Sequence, residues 1–103
     1  MSLSPRWNSA ISAWADWLRA AGRPDTTVYQ RTYQIRRLAR DHPKGPGSLT
    51  TAHLAHWLAG QNWGPETRSS FRAAVTTFYA WAHAAGHVEH NPAGRLPTVR
   101  LPR

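Results

Sequence analysis

Apolar residues in this chain recur at helical spacing in four blocks, each bounded by proline or glycine. Nowhere do they alternate with a period of two for long enough to form a strand. The first block opens at Ser4-Pro5, a cap residue followed by proline at the first helical position. It runs to about Ala21 with Trp7, Ile11, Trp14, Leu18 and Ala21 on one stripe and Trp17 at its edge, and Gly22 and Pro24 end it. The second runs from Asp25-Thr26 to about Asp41 with Val28, Thr32, Ile35, Leu38 and Ala39 inward. Pro43 breaks it, and Lys44-Gly45-Pro46-Gly47-Ser48 is a loop by composition. The third, from about Thr51 to Ala59, is capped by Thr50 and turns Leu54, Trp57 and Leu58 inward. At that length its stability has to come from packing. The fourth opens at Gly64-Pro65-Glu66, carries Phe71, Ala74, Val75, Phe78, Ala82 and Ala85 on one stripe with Trp81 beside it, and closes at Gly86. The pattern predicts an all-α, compact four-helix bundle of two helical hairpins over residues 1–91. Residues 92–103, with Pro92 and two further prolines, read as an extended linker.

A chain of 103 residues is one domain, large enough to bury a core without staples. With 41% apolar residues and six tryptophans it is not a disordered chain. No apolar run approaches the roughly 20 residues needed to span a bilayer, and the N-terminus lacks the layout of a signal peptide. The absence of cysteine excludes disulfides, thiolate nucleophiles and sulfur-ligated zinc. An active site is not expected. Asp16, Asp25, Asp41, Glu66 and Glu89 fall in caps, turns or outward faces and form no inward pair for acid/base work. His53 and His56 share a helical face without a carboxylate in register. His83, His87 and His90 near the end of the fourth helix are expected to be exposed and able to meet phosphate when protonated; zinc there is the alternative. Neither cofactor nor metal is expected.

Charge narrows the partner. Thirteen basic residues, all arginine except Lys44, stand against five acidic ones and give a net charge of +8. Such an excess favours a polyanion, and the guanidinium fork suits phosphate. On the second helix Gln30, Gln34 and Arg37 point together, away from the apolar stripe, with Arg40 and Tyr33 flanking them and Lys44 at the exit. Gln and Arg on adjacent turns can meet base edges in a major groove, while Arg40 and Lys44 hold phosphates. Arg31 and Arg36 point to the flanks. On the fourth helix Arg68, Ser69, Arg72 and Thr76 share the outward face with Ala73 and Ala80, small residues that permit close approach to a backbone. The competing reading of both faces is a solvated, undistinguished helix surface. Trp63, in the loop before Pro65, either plugs the second hairpin or sits exposed.

The order of motifs resembles the N-terminal core-binding, SAM-like domain of tyrosine recombinases, the phage integrases, especially of actinobacterial and actinophage type. The matching segments are Trp14-Ala15-Asp16-Trp17-Leu18, Thr27-Val28, Tyr33-Gln34-Ile35-Arg36-Arg37-Leu38 and Leu49-Thr50-Thr51 with Leu54 and Trp57-Leu58. Pro65-Glu66-Thr67-Arg68, Phe78-Tyr79-Ala80-Trp81-Ala82, Gly86 and Asn91-Pro92-Ala93 complete them, and the resemblance covers almost the whole chain. It implies a half-clamp around the core attachment site of double-stranded DNA, with the second and fourth helices towards the duplex. By position it implies contacts from Gln30, Gln34, Arg37, Arg40, Arg68, Ser69, Arg72 and Thr76. The tail resembles the linker to a catalytic domain, so Arg95, Arg100 and Arg103 are expected to track phosphate. The family's catalytic arginine, lysine, His-x-x-Arg pair and nucleophilic tyrosine have no counterpart here, and Tyr29, Tyr33 and Tyr79 match no nucleophile. The chain is therefore expected to be a binding domain excised from a longer recombinase, or else a truncated or free-standing relative. Its implied partners are DNA, its own catalytic domain and other recombinase subunits, without membrane. The implied location is the bacterial cytoplasm, at the nucleoid, from a chromosomal, prophage or phage gene. His53, where the family often has an acid, is expected to weaken the third helix's cap. The rival class is a helical protein-interaction or regulatory module; acidic lipid fits the charge but not the inward apolar stripes.

Overall fold

The computed structural model describes residues 3–102, and four α-helices account for most of them: α1 (Pro5–Ala20), α2 (Asp25–Arg40), α3 (Thr51–Ala59) and α4 (Pro65–Ala84). A 3₁₀ turn, Pro46–Ser48, lies between α2 and α3, and no strand occurs among the described residues. The expected class, a compact all-α bundle of two hairpins, is the observed one. α1 packs on α2, both pack on α4, and α3 closes against α4.

Boundary chemistry follows the sequence closely. The Ser4 hydroxyl accepts from the Trp7 amide at 3.4 Å, and Pro5 stands where no amide donor is needed. α2 begins after Pro24 without a side-chain cap; Asp25 faces the positive end of the helix instead. At the end of α4, Gly86 takes a left-handed φ of 82°, and the His87 amide donates to the Ala82 carbonyl at 2.8 Å. The short α3 is better capped than expected. Its Thr50 hydroxyl accepts from the His53 amide, and His53 Nδ1 accepts from the Thr50 amide, both at 3.1 Å. An imidazole with Nδ1 unprotonated thus does what a carboxylate does in the usual capping box.

The core has two aromatic centres. Phe78 is fully buried, with Trp7 stacked at 6.0 Å, Trp14 edge-on at 5.3 Å and Tyr79 edge-on at 5.1 Å. The indole nitrogen of Trp14 is buried there without a hydrogen-bond partner. The second centre settles the position of Trp63. Its ring lies flat on Phe71 at 3.9 Å, with Trp57 edge-on to both, so it plugs the α3–α4 hairpin.

Three aromatic side chains also reach one loop through their polar tips. Trp7 Nε1 donates to the His42 carbonyl at 2.7 Å, Trp57 Nε1 to Asp41 Oδ2 at 2.7 Å, and Tyr79 Oη to the Pro46 carbonyl at 2.9 Å. Gly45 lies inside that loop with a φ of 119°, and a Cβ there would stand 3.3 Å from that of Arg6. Conformation and space both demand glycine. The α1–α2 turn is different: residues 21–24 are all exposed and held only by backbone bonds at the end of α1.

Composition places the linker's start at Pro92, yet Pro92, Ala93 and Leu96 are buried. The packed unit therefore continues to Leu96, which lines a cavity with Ala55, Leu58 and Ala59 of α3 beside Arg68 and Arg72 of α4. Arg103 lies outside the described residues.

Tyr79 supplies a test of this packing. Burial pushes its phenol well above the ordinary tyrosine range. The unfolded chain then loses this proton near pH ~10 while the folded chain keeps it, so stability is complete below that pH and falls as pH rises further. The expected slope is about 1.4 kcal/mol per pH unit. In urea unfolding between pH 8 and 11, Tyr79→Phe should remove this decline and cost about 1–2 kcal/mol at neutral pH through the lost bond to Pro46.

Candidate nucleic-acid interface

α2 has neighbours on two sides, so its buried arc is wider than the apolar stripe. Gln30, Tyr33, Arg36 and Arg40 are exposed, Arg37 is half-exposed and Lys44 is exposed beyond the helix end. Arg37 reaches back to the Tyr33 hydroxyl at 3.4 Å, one turn earlier. Gln34 is the correction. It is only 3% exposed, and its amide donates to Ser70 Oγ on α4 at 2.8 Å. Arg31 donates to Gln34 Oε1 at 3.3 Å and to the Ser70 carbonyl at 3.0 Å. Lying at the rim of the outward face, Gln34 is covered by α4 and joins the helices instead of facing solvent. Burial, and secondarily the charge of Arg23, lowers the proton affinity of Arg31.

The arginines of α4 also point to structure. Arg68 donates to the carbonyls of Leu58, Gln61 and Trp63, the last at 3.0 Å, and so satisfies the end of α3 and the turn after it. Arg72 donates through Nε to the Pro97 carbonyl at 2.6 Å and through Nη2 to that of Leu96 at 3.2 Å. Both guanidinium groups were expected at phosphates; carbonyls of the protein occupy these donors. No hydrophobic pattern signals such a use, because a backbone carbonyl has no signature in the sequence. Ser69 and Thr76 are half-buried. The Thr76 hydroxyl donates to the Ala73 carbonyl, and Thr76 lines an open groove of about 700 Å³ with Trp17, Ala80 and Trp81. Arg95 and Arg100 are exposed.

The electrostatics separate two groups of cations. The one ion pair among the described residues, Arg19 with Asp16 at 3.5 Å, is exposed and lies on α1. Asp41, the acid nearest the basic end of α2, is engaged by Trp57. Arg36, Arg37, Arg40 and Lys44 therefore form a row without a carboxylate partner. Sequence reasoning left out Tyr29, the most exposed large hydrophobic side chain among the described residues at 72%, which precedes Tyr33 by one turn on the same row. Its signal was available as two tyrosines four residues apart, off the apolar stripe. His87 is exposed but stacks on Trp81 at 4.8 Å, and no three His, Asp or Glu side chains among the described residues converge as metal ligands.

The architecture is that of a SAM-like helical bundle with a basic outer helix. Compared with solved structures, the chain is similar to the integrase from mycobacterium phage Brujita, with a TM-score of 0.80 and 26% identity. The match covers 90% of this chain and 33% of that one, so the chain spans about a third of the integrase's length. It has the fold expected from the resemblance to the phage-integrase core-binding domain. No family model and no curated protein matches.

Because Arg68 clamps three carbonyls at the end of α3 and the turn after it, Arg68→Ala should lower unfolding free energy by about 2–4 kcal/mol, the scale of several lost charge-assisted bonds. Urea denaturation followed by tryptophan fluorescence measures it, because Trp63 and Trp57 sit beside the clamp.

Proposed function

We propose that this chain binds double-stranded DNA through the outer face of α2, as the core-binding half-clamp of a tyrosine recombinase. The observation that carries the proposal is the row of Arg36, Arg37, Arg40 and Lys44 without acidic partners, beside the exposed Gln30 and Tyr33. In such an interface Arg37, Arg40 and Lys44 neutralise phosphates and set register, while Gln30 meets base edges. Ser69 and Thr76 on α4, and Arg95 and Arg100 on the tail, are placed at the margins of the contact. Gln34, Arg68 and Arg72 support it from within. The similarity to a phage integrase supports the recombinase setting.

In that setting the DNA is the core attachment site. The further partners are a catalytic domain following residues 92–103 and other recombinase subunits, in the cytoplasm of a bacterial cell. No described helix is long and apolar enough to cross a membrane. One observation favours the alternative of a protein-interaction module: Trp17 is 48% exposed over the α1–α4 groove.

An amide-resolved NMR titration with a duplex, at low and near-physiological salt, separates the two. Shifts on 29–44 that weaken as salt rises are expected; no response at low salt, or shifts confined to Trp17 and its groove, would sink the DNA proposal. Arg37→Ala and Arg40→Ala should each reduce the slope of log affinity against log salt by about 1. Arg68→Ala, measured where it is folded, should leave that slope unchanged.

A further inference from the structure

The segment after α4 is tied down more tightly than its composition suggests. The Thr51 hydroxyl, in the first turn of α3, donates to the Pro92 carbonyl at 2.6 Å. Asn91 Oδ1 accepts from the Ala93 amide at 2.9 Å, and the Leu96 amide donates to the Ala93 carbonyl at 3.2 Å, closing a turn. Ala93 is buried in that turn and Leu96 after it. Leu96 and Val99 line a small cavity of about 240 Å³ with Ala55, Leu58 and Ala59. Proline at 97 restricts Leu96 to extended backbone, which keeps the Leu96 and Pro97 carbonyls out of helical bonding and open to side-chain donors. Arg72 supplies them.

We propose that Arg72 is the positioning residue of a C-terminal strap. Its planar fork takes two successive carbonyls, Leu96 and Pro97, and fixes the direction in which residues 98–102 leave the bundle relative to α4. A single donor would leave the strap free to swing about one bond; two donors from one rigid group hold its orientation. The role is distinct from a phosphate contact, which a point charge can also make. It stands independently of the DNA proposal, since every group involved belongs to this chain.

Limited trypsin digestion reads the strap directly, because Arg95–Leu96 lies at its anchored joint and Arg100–Leu101 beyond that joint. In the wild-type chain the outer bond should be cut at least about tenfold faster than the inner one, as an ordered segment must open before cleavage. In Arg72→Ala and in Arg72→Lys, which keeps the stem and the charge, the ratio should fall several-fold. Heteronuclear NOE values for 96–100 should drop with it, while the amide shifts of α1 and α2 stay in place. Equal cutting of both bonds in the wild type, or a wild-type ratio in Arg72→Lys, overturns the proposal. A duplex titration of the same variants keeps the two questions apart. Wild-type protein that ignores DNA leaves the cleavage ratio readable. An Arg72→Ala chain that loses DNA binding with its inner bond still protected marks Arg72 as a phosphate contact and not a latch.

Discussion

Three aromatic side chains from three different helices hold the first part, residues 41–46, of the ten-residue segment that joins the hairpins. Trp7 of α1, Trp57 of α3 and Tyr79 of α4 each use the apolar body of the ring in the core and spend its polar tip on His42, Asp41 and Pro46. The loop would otherwise bring polar backbone groups against apolar surface at a cost of a few kcal/mol. Once it is fixed, the second hairpin has a defined place against the first, and α4 is pressed onto both α1 and α2. The placement of the outer face of α2 depends on that contact, since covering Gln34 is what leaves Gln30, Arg37 and Arg40 as the outward row.

Arginine does two jobs in this molecule. Arg31 donates to Gln34 of its own helix and to the Ser70 carbonyl within α4, while Arg68 and Arg72 satisfy carbonyl oxygens at the end of α3, the turn after it and the tail. Each supplies several donors from one group, which suits a small domain with many backbone carbonyls at helix ends and loops. Arg36, Arg37 and Arg40 have only neighbouring hydroxyls or solvent. The net charge therefore overstates the surface available to a polyanion. A count of cations does not distinguish a surface arginine from one already used by the fold.

The helices were legible because their punctuation is local. Pro5, Gly22, Pro24, Gly64, Pro65 and Gly86 act within a turn of where they stand, and the apolar stripes repeat often enough to be read. What was not legible depends on a distant partner. Gln34 looked outward on its own helix and was covered by another. Trp63 had no periodic neighbours and found Phe71 across the hairpin. Tyr79 was not on the α4 stripe read from the sequence, yet it is fully buried with its hydroxyl donating to the Pro46 carbonyl. The tail looked like a linker because prolines were counted and buried carbonyl partners could not be. For the candidate site, the outward exposure of Gln30, Arg37 and Arg40 could be read from α2 alone, whereas the engagement of Arg68 and Arg72 by two loops could not be read from α4.

The joints of the molecule differ in what they would tolerate. Between α2 and α3, three residues are engaged individually from outside, and between α3 and α4 the Gln61 and Trp63 carbonyls are engaged by Arg68. Neither joint can change length without moving an anchor. The turn at residues 21–24 carries no such long-range side-chain tie and points wholly to solvent. It is the place where the polypeptide has slack. Insertions, a fluorescent label or the new ends of a circularly permuted chain belong there, on a corner that none of the three loop anchors touches.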